Sequence, residues 1–341
     1  MKRASTIDRR AFLKLSGCAG VAAATALVSP AIGLASLPGR NRGLMVAQQT
    51  RMMMGTVVTI TVVDPSATRA QEALAAGFAR MESLTPLFDR HQGDGPVTQL
   101  NRQGRLGDIP PDLRQVLELC QRVHRLSGGA FDITVAPVLD LYKQCYAQGT
   151  MPPPRRRIQE ALAAVGGLRQ EGDRLLLTRP GAGVTLDGVA KGFIADQGIK
   201  AMAQAGARHA LVNAGGDLAA LGDQGGRPWR VGVADPHQRH RPVMVVSLNG
   251  GALATSGNYE VFFDRERLYH HIINPTNGRS PRTDLSASVR APSAMLADAL
   301  STACFVMEPR RATALLRAHP GLEGLIYTRQ GQRYQTPGFR G

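Results

Sequence analysis

His209-Ala210-Leu211-Val212-Asn213-Ala214-Gly215-Gly216-Asp217 opens the half of the chain whose reading decides the fold. Short runs with tight turns follow it: Trp229–Val233, Val243–Leu248, Ala252–Ala254, Tyr259–Phe263, Leu268–Ile273 and Leu285–Arg290. β-branched and aromatic runs bounded by Gly, Asp and Asn read as strands, and Asp264-Arg265-Glu266-Arg267 reads as the turn of a hairpin. Upstream, Met52–Val63 alternates and predicts one further strand. Ser66–Leu84, Pro111–Leu126 and Thr134–Tyr146 carry apolar residues at helical spacing, and Gly149–Pro154 reads as a turn. Arg174–Thr178 and Gly183–Leu186 look like short strands before a helix over Gly192–Ala205, with two more helices around Asp298 and over Pro309–Ala318. Strands follow strands here, so the predicted class is α+β, with largely antiparallel sheet(s) and packed helices. No Gly-x-Gly-x-x-Gly opens a helix after a strand and no Walker loop is present, which argues against dinucleotide-binding Rossmann and P-loop folds.

The N-terminus reads as an export signal. Asp8-Arg9-Arg10-Ala11-Phe12-Leu13-Lys14 precedes a mild Ala/Gly-rich stretch from Leu15 to Val28, too short and too weakly apolar for a membrane span. Paired arginines before such a stretch predict twin-arginine export to the periplasm. Leu15-Ser16-Gly17-Cys18 also matches a lipoprotein box, but no apolar region separates it from Arg10, so lipid anchoring at Cys18 is the weaker reading. The predicted organisation is a signal at 1–35, a linker at 36–49, one domain at 50–330 and a tail at 331–341. Of the formal charge of +15, +6 falls within residues 1–42, which leaves +9. That balance suits anionic small ligands. Nucleic acid is not expected, because no Lys/Arg run is interleaved with aromatics, and Arg155-Arg156-Arg157 reads as the start of a solvated helix. Cys120, Cys145 and Cys304 have no zinc spacing; Cys120 and Cys145 either pair or stay as buried thiols.

Asp298 and Thr302 stand one helical turn apart among small residues, Ala297-Asp298-Ala299-Leu300-Ser301-Thr302-Ala303. Side chains at i and i+4 share a helix face, so a carboxylate and a hydroxyl there offer two hard oxygen ligands to Mg²⁺ or Ca²⁺. A buried Asp bonded to Thr on an ordinary packed helix is the competing account. Five glycine-marked segments accompany them: Met54-Gly55-Thr56, Ser127-Gly128-Gly129-Ala130-Phe131-Asp132, Leu186-Asp187-Gly188-Val189-Ala190-Lys191-Gly192, Asn213–Asp217 and Ala254-Thr255-Ser256-Gly257-Asn258-Tyr259. Glycines at strand ends let backbone approach a ligand, and free N–H groups there can cradle phosphates. With Tyr269-His270-His271-Ile272-Ile273-Asn274-Pro275-Thr276-Asn277-Gly278 they make up a kit for a nucleotide–metal site.

These motifs, in this order from Met54 to about Ala318, resemble the ApbE family of FAD:protein FMN transferases, and within it the NosX-type exported members. The resemblance implies an ApbE-like, T-fold-related architecture. It implies Mg²⁺, with Ca²⁺ or Mn²⁺ as alternatives, bound by the Gly188 carbonyl, Asp298 and Thr302. FAD would be contacted by Met54, Ala130, Phe131, Asp132, Thr185, Lys191 and Ile272, with His271 as general base. Thr185 falls where many members have Asp, and Asp187 where they have a small residue. Where the family commonly has Ser-x-Tyr with its ring on the flavin, this chain has Asp89-Arg90-His91, so His91 takes that place with Phe88 as the alternative. The implied reaction moves FMN from FAD to a Thr or Ser hydroxyl of an acceptor flavoprotein, a membrane reductase subunit among the candidates, and releases AMP. A periplasmic FAD-binding protein and a pyrophosphatase splitting FAD to FMN and AMP are the rival readings. Strand alternation between His270 and His271 would send only one ring to the site.

Overall fold

The computed structural model describes residues 43–91, 93–235, 242–258, 261–264, 268–281 and 285–341. The signal segment, Cys18, the first part of the 36–49 linker, Tyr259 and Arg265–Arg267 of the expected hairpin lie outside them.

The expected strand over Met52–Val63 is half of a hairpin. β1 (Met45–Met53) and β2 (Thr56–Asp64) pair antiparallel from Met53↔Thr56 to Met45↔Asp64. Met54 (φ 52°) and Gly55 (φ 71°) form the two-residue turn between them, both left-handed as a twist-matched hairpin turn requires. β1 takes in residues 45–49, the last five of the expected linker. β6 (His209–Ala214), β7 (Asp217–Leu221), β10 (Gly251–Gly257), β11 (Leu285–Ala291), β12 (Glu323–Thr328) and β13 (Arg333–Gln335) complete one eight-stranded sheet. Its order is β1-β2-β6-β7-β10-β11-β12-β13, antiparallel at every step. The expected C-terminal tail is thus part of the sheet at β13, and Phe339 beyond it is fully buried.

Period-2 alternation distributes the sheet between two cores. Val58, Ile60 and Val62 of β2 and Ala210, Val212 and Ala214 of β6 face the main core. There they meet α1 (Ala67–Phe88), α6 (Ala190–Gln204) and α7 (Ala294–Val306). Val63 and Leu211 face the other way, with Leu218, Leu253 and Leu325, onto a ribbon of β8 (Trp229–Ala234) and β9 (Pro242–Leu248). The remaining helices are α2 (Pro96–Gln103), α3 (Pro111–Leu126), α4 (Ala136–Gln148), α5 (Arg155–Ala163) and α8 (Pro309–Arg317). β3 (Arg105–Leu106), β4 (Leu168–Glu171) and β5 (Arg174–Leu177) form a small separate sheet.

Two expected strand regions are not ladder strands. Gly183–Leu186 is irregular, and Val184 exchanges both backbone bonds with one side chain, Asn101, whose Nδ2 donates to its carbonyl and whose Oδ1 accepts from its N–H. Around 261–264 and 268–273 the described residues hold only a single bridge, Phe262↔His270. Cys120, Cys145 and Cys304 are buried free thiols. Among the described residues no helix is long and apolar enough to cross a membrane.

Candidate active site

α7 carries the proposed metal ligands, and its start is fixed twice. Ser293 Oγ accepts from Leu296 N–H (3.3 Å), and Asp196 of α6 accepts from Ala294 and Met295 N–H at 2.8 and 2.9 Å. Both satisfy donors that a helix N-terminus leaves without partners. A Cβ on Gly192 would stand 2.3 Å from the Ala294 carbonyl oxygen, so only glycine lets α6 and α7 meet here. That contact also brings Gly192 N–H to Asp298 Oδ2, 3.1 Å away.

Asp298 is 3 % exposed, and no described residue donates to its Oδ1. One turn on, Thr302 Oγ1 lies 3.3 Å from Ser256 Oγ, which is 2.8 Å from Ser301 Oγ; Ser301 donates to the Asp298 carbonyl at 2.9 Å. A Cβ on Gly188 would lie 3.1 Å from Thr302 Oγ1 and 3.4 Å from Phe131 Cε2. Gly188, Thr302 and Phe131 therefore share one spot.

Lys191 ties this spot to β7. Its Nζ donates to the Asp187 carbonyl (3.2 Å), pairs with Asp217 Oδ2 (3.1 Å) and stands 3.9 Å from Asp298 Oδ2. Burial opposes the Lys191 charge, but Asp217 and Asp298 outweigh it and hold the ammonium well above the ordinary lysine range. Two carboxylates share one cation, so the set carries one negative charge in excess. Burial first and Asp217 second push the Asp298 carboxyl up to about 7, against the pull of Lys191 and Gly192 N–H. An excess charge, an oxygen without a donor, a hydroxyl and an adjacent carbonyl fit a hard divalent cation such as Mg²⁺. Among the described residues no group of three His, Cys, Asp or Glu suits a metal, so this mixed oxygen set is the candidate.

The two histidines separate clearly. His270 is fully buried, edge-on to Phe305 at 5.4 Å, with Nε2 donating to the Pro281 carbonyl (3.0 Å) and Nδ1 accepting from Ile272 N–H (3.3 Å). His271 is half-buried, and its Nδ1 donates to the Val261 carbonyl at 3.0 Å. A carbonyl only accepts, so the proton sits on Nδ1 and Nε2 carries the lone pair. Burial lowers its pKa, the Val261 bond partly opposes this, and Lys191 and Lys143 add to the lowering. His271 thus shares the Lys191 charge with the metal set and, with its pKa lowered, is neutral at neutral pH. The separation comes from the single bridge at His270 and from side-chain bonds; the expected regular strand is not there.

The expected flavin contacts fall at several depths. Met54 sits in the hairpin turn, partly buried against the main core. Ala130 is half-buried, and Phe131 N–H donates to Ser127 Oγ. Asp132 Oδ1 accepts from Thr134 N–H and Oγ1–H at 2.8 and 2.6 Å, so this carboxylate caps a turn. Thr185 N–H donates to the Ile133 carbonyl (2.8 Å), binding that segment to the same loop. The Ile272 side chain lies in the main core and its N–H is taken by His270, which leaves its carbonyl as its available contact. Phe88 is withdrawn as a stacking candidate: it is 6 % exposed and packs edge-on to Phe193 at 5.3 Å. His91 is exposed, with Lys143 Nζ 3.3 Å from its Nε2. The neighbouring Arg90 makes a two-pronged pair with Asp140 at 2.7 and 3.0 Å. Asp187 is exposed, and the Arg90 and Lys143 charges hold its carboxyl below the ordinary carboxylate range.

Asp217, Ser256, Ser301 and Lys143 escaped the sequence reading. The first two lay inside glycine-marked segments and Ser301 lay between the two predicted ligands, so a signal existed for those three. Lys143 sits on a helix whose pattern gives none.

A model described as the ApbE family matches residues 54–326. A "FAD:protein FMN transferase" of Treponema pallidum is 31% identical, the match covering 88% of this chain and 89% of that protein. The crystal structure of the ApbE protein of Thermotoga maritima superposes with a TM-score of 0.78 at 28% identity, covering 86% of this chain and 98% of that one. "Flavin Transferase ApbE" of Vibrio cholerae gives 0.74 at 25%, covering 87% and 98%. Seven motifs in order, one antiparallel sheet and these likenesses converge: the chain belongs to the ApbE family.

Proposed function

We propose that this protein is an FAD:protein FMN transferase that moves FMN from FAD to a Thr or Ser hydroxyl of an acceptor flavoprotein and releases AMP. The observation that carries the reading is the pairing of a neutral His271, its Nε2 lone pair free of the Val261 bond, with the oxygen set of Asp298, Thr302 and Gly188. In the reaction the acceptor O–H bond breaks and its proton goes to His271 Nε2. The acceptor oxygen bonds to the FMN phosphorus, and the P–O bond to AMP breaks with its electron pair left on AMP. Gly188, Asp298 and Thr302 are the residues that would hold Mg²⁺; what a bound Mg²⁺ supplies is charge neutralisation across a pyrophosphate. Lys191 and Asp217 keep Asp298 in place. His91, set by Lys143, offers a flat exposed ring toward FAD. The export reading rests on Arg9-Arg10 before Leu15–Val28 and places the reaction in the periplasm.

The test is co-expression with periplasmic flavoprotein domains, followed by a mass search for FMN on Thr or Ser and by AMP measurement from FAD and Mg²⁺ in vitro. Linked FMN with equimolar AMP supports the transferase. Free FMN with no linked flavin would overturn it in favour of the pyrophosphatase.

A further inference from the structure

Period-2 alternation puts Ala252 and Ala254 of β10 in the main core and brings Ser256 to the same face, two residues on. α7 lies against that strand. Ser301 of α7 is fully buried, and Ser256 is half-buried within reach of both Ser301 and Thr302. Three hydroxyls and one carbonyl form a chain. Thr302 Oγ1 lies 3.3 Å from Ser256 Oγ, Ser256 Oγ lies 2.8 Å from Ser301 Oγ, and Ser301 Oγ lies 2.9 Å from the Asp298 carbonyl oxygen.

The hydrogens of this chain can be placed by counting. A hydroxyl has one hydrogen to give and two lone pairs to receive with, and a carbonyl only receives. Ser301 therefore donates to the Asp298 carbonyl, which leaves it an acceptor toward Ser256. Ser256 donates to Ser301, so its hydrogen is taken, and Thr302 must be the donor at the remaining link. The Thr302 hydrogen thus points at Ser256, and the lone pairs of Thr302 Oγ1 are left for another partner. Gly188 packs against this same oxygen, and Asp298, whose Oδ1 receives from no described residue, stands one helical turn away. A serine bridge that only tied β10 to α7 would need the Ser256–Ser301 link and no third one.

We propose that Ser256 and Ser301 are positioning residues for the divalent cation, a relay that turns the Thr302 hydrogen away and fixes its hydroxyl as an acceptor-only oxygen. The proposal rests on the metal set of the transferase reading and adds two residues that act on it through Thr302. Without the relay the hydroxyl rotates, and each orientation that aims its hydrogen at the cation opposes binding. Groups that orient a metal ligand from outside the coordination shell typically change metal affinity by about 10–100-fold.

The probe is Mg²⁺ alone, titrated by calorimetry into the purified, metal-free protein at pH 8. Ser256→Ala should raise the Mg²⁺ Kd about tenfold or more. Ser301→Ala should raise it by a similar factor, although Ser301 is one link removed from Thr302; alanine is the better helix former, so this variant should fold even where Ser256→Ala does not. Ser256→Thr keeps a hydroxyl on the same carbon and should bind near wild type. The melting temperature in EDTA is measured alongside, because a role confined to tying β10 to α7 would lower it and leave Kd unmoved. An unchanged Kd in folded Ser256→Ala or Ser301→Ala, or a loss in Ser256→Thr equal to that in Ser256→Ala, overturns the relay. If wild type binds no Mg²⁺, the relay falls together with the metal set of the transferase reading. If FMN is found linked to an acceptor domain while the relay variants bind Mg²⁺ as wild type does, the transferase reading stands and the relay alone falls.

Discussion

Replacing Asp298 by Asn should make the metal-free protein more stable at mildly alkaline pH while destroying its function. The buried set of Lys191, Asp217 and Asp298 carries one negative charge too many, and both carboxyls are raised by it, that of Asp298 up to about 7 from an ordinary 3.8 by burial and by Asp217. At about 1.4 kcal/mol per pH unit, that displacement corresponds to on the order of 4 kcal/mol between its protonated and ionised forms. The folded-state value is raised, so the contribution favours folding in acid and is lost as pH rises through about 7. Asn is neutral throughout and its Oδ1 can still accept from Gly192 N–H, now 3.1 Å from Asp298 Oδ2. Without metal at about pH 8, Asp298→Asn should therefore melt higher than wild type by several degrees, at roughly 2–4 °C per kcal/mol. Near pH 5 the gap should shrink to roughly a third, because the unfolded carboxyl, with its ordinary value of 3.8, is still ionised there. Mg²⁺ should raise the wild-type melting temperature at pH 8 and leave that of the variant unmoved, and FMN transfer should be absent in the variant. Scanning calorimetry with EDTA or Mg²⁺ at both pH values reads all of this. If the variant melts below wild type at pH 8 in EDTA and both respond equally to Mg²⁺, Asp298 is an ordinary structural residue and the charge argument fails.

Other outcomes follow from the same geometry. His271→Ala should slow transfer by about 10²–10⁴ with FAD affinity little changed; since burial lowers the His271 pKa, the wild-type rate should fall only on the acid side of its ordinary 6.5, an inflection the variant lacks. His270→Ala should instead lower the melting temperature, losing about 2–4 kcal/mol with the Phe305 contact and the Pro281 bond. Gly192→Ala should destabilise by roughly 1–3 kcal/mol or more and weaken Mg²⁺ binding, because its Cβ would press on the Ala294 backbone beneath Asp298; calorimetry and a Mg²⁺ titration would show both. Replacing Arg9 and Arg10 by Lys should leave the protein in the cytoplasm, and undiminished periplasmic protein on fractionation would end the export reading.

What could be read in the sequence was what is local in the chain. Asp298 and Thr302 declare a shared face through helical spacing alone, and α7 does place them so, with Gly188 pressed against Thr302. The pairing of Lys191 with Asp217 is different, because 26 positions and a Gly215-Gly216 turn separate them and only the laying of α6 across β7 joins them. Lys143 beside His91 and Arg90 with Asp140 are non-local in the same way. Strands failed for a related reason. Asp217-Leu218-Ala219-Ala220-Leu221 has little intrinsic β preference and is a strand because β6 and β10 flank it, whereas Leu268–Ile273 alternates well yet holds only one bridge among the described residues. Alternation reports that a segment has two different sides; a ladder needs a neighbour as well. At His270 and His271 the absence of a ladder is what serves the site. One ring is locked into the core by Phe305 and Pro281, and the other is turned out by a single carbonyl with its lone pair open. A regular strand would have spent those backbone groups on pairing, and the Val261 carbonyl that now fixes His271 Nδ1 would have been taken by a ladder bond.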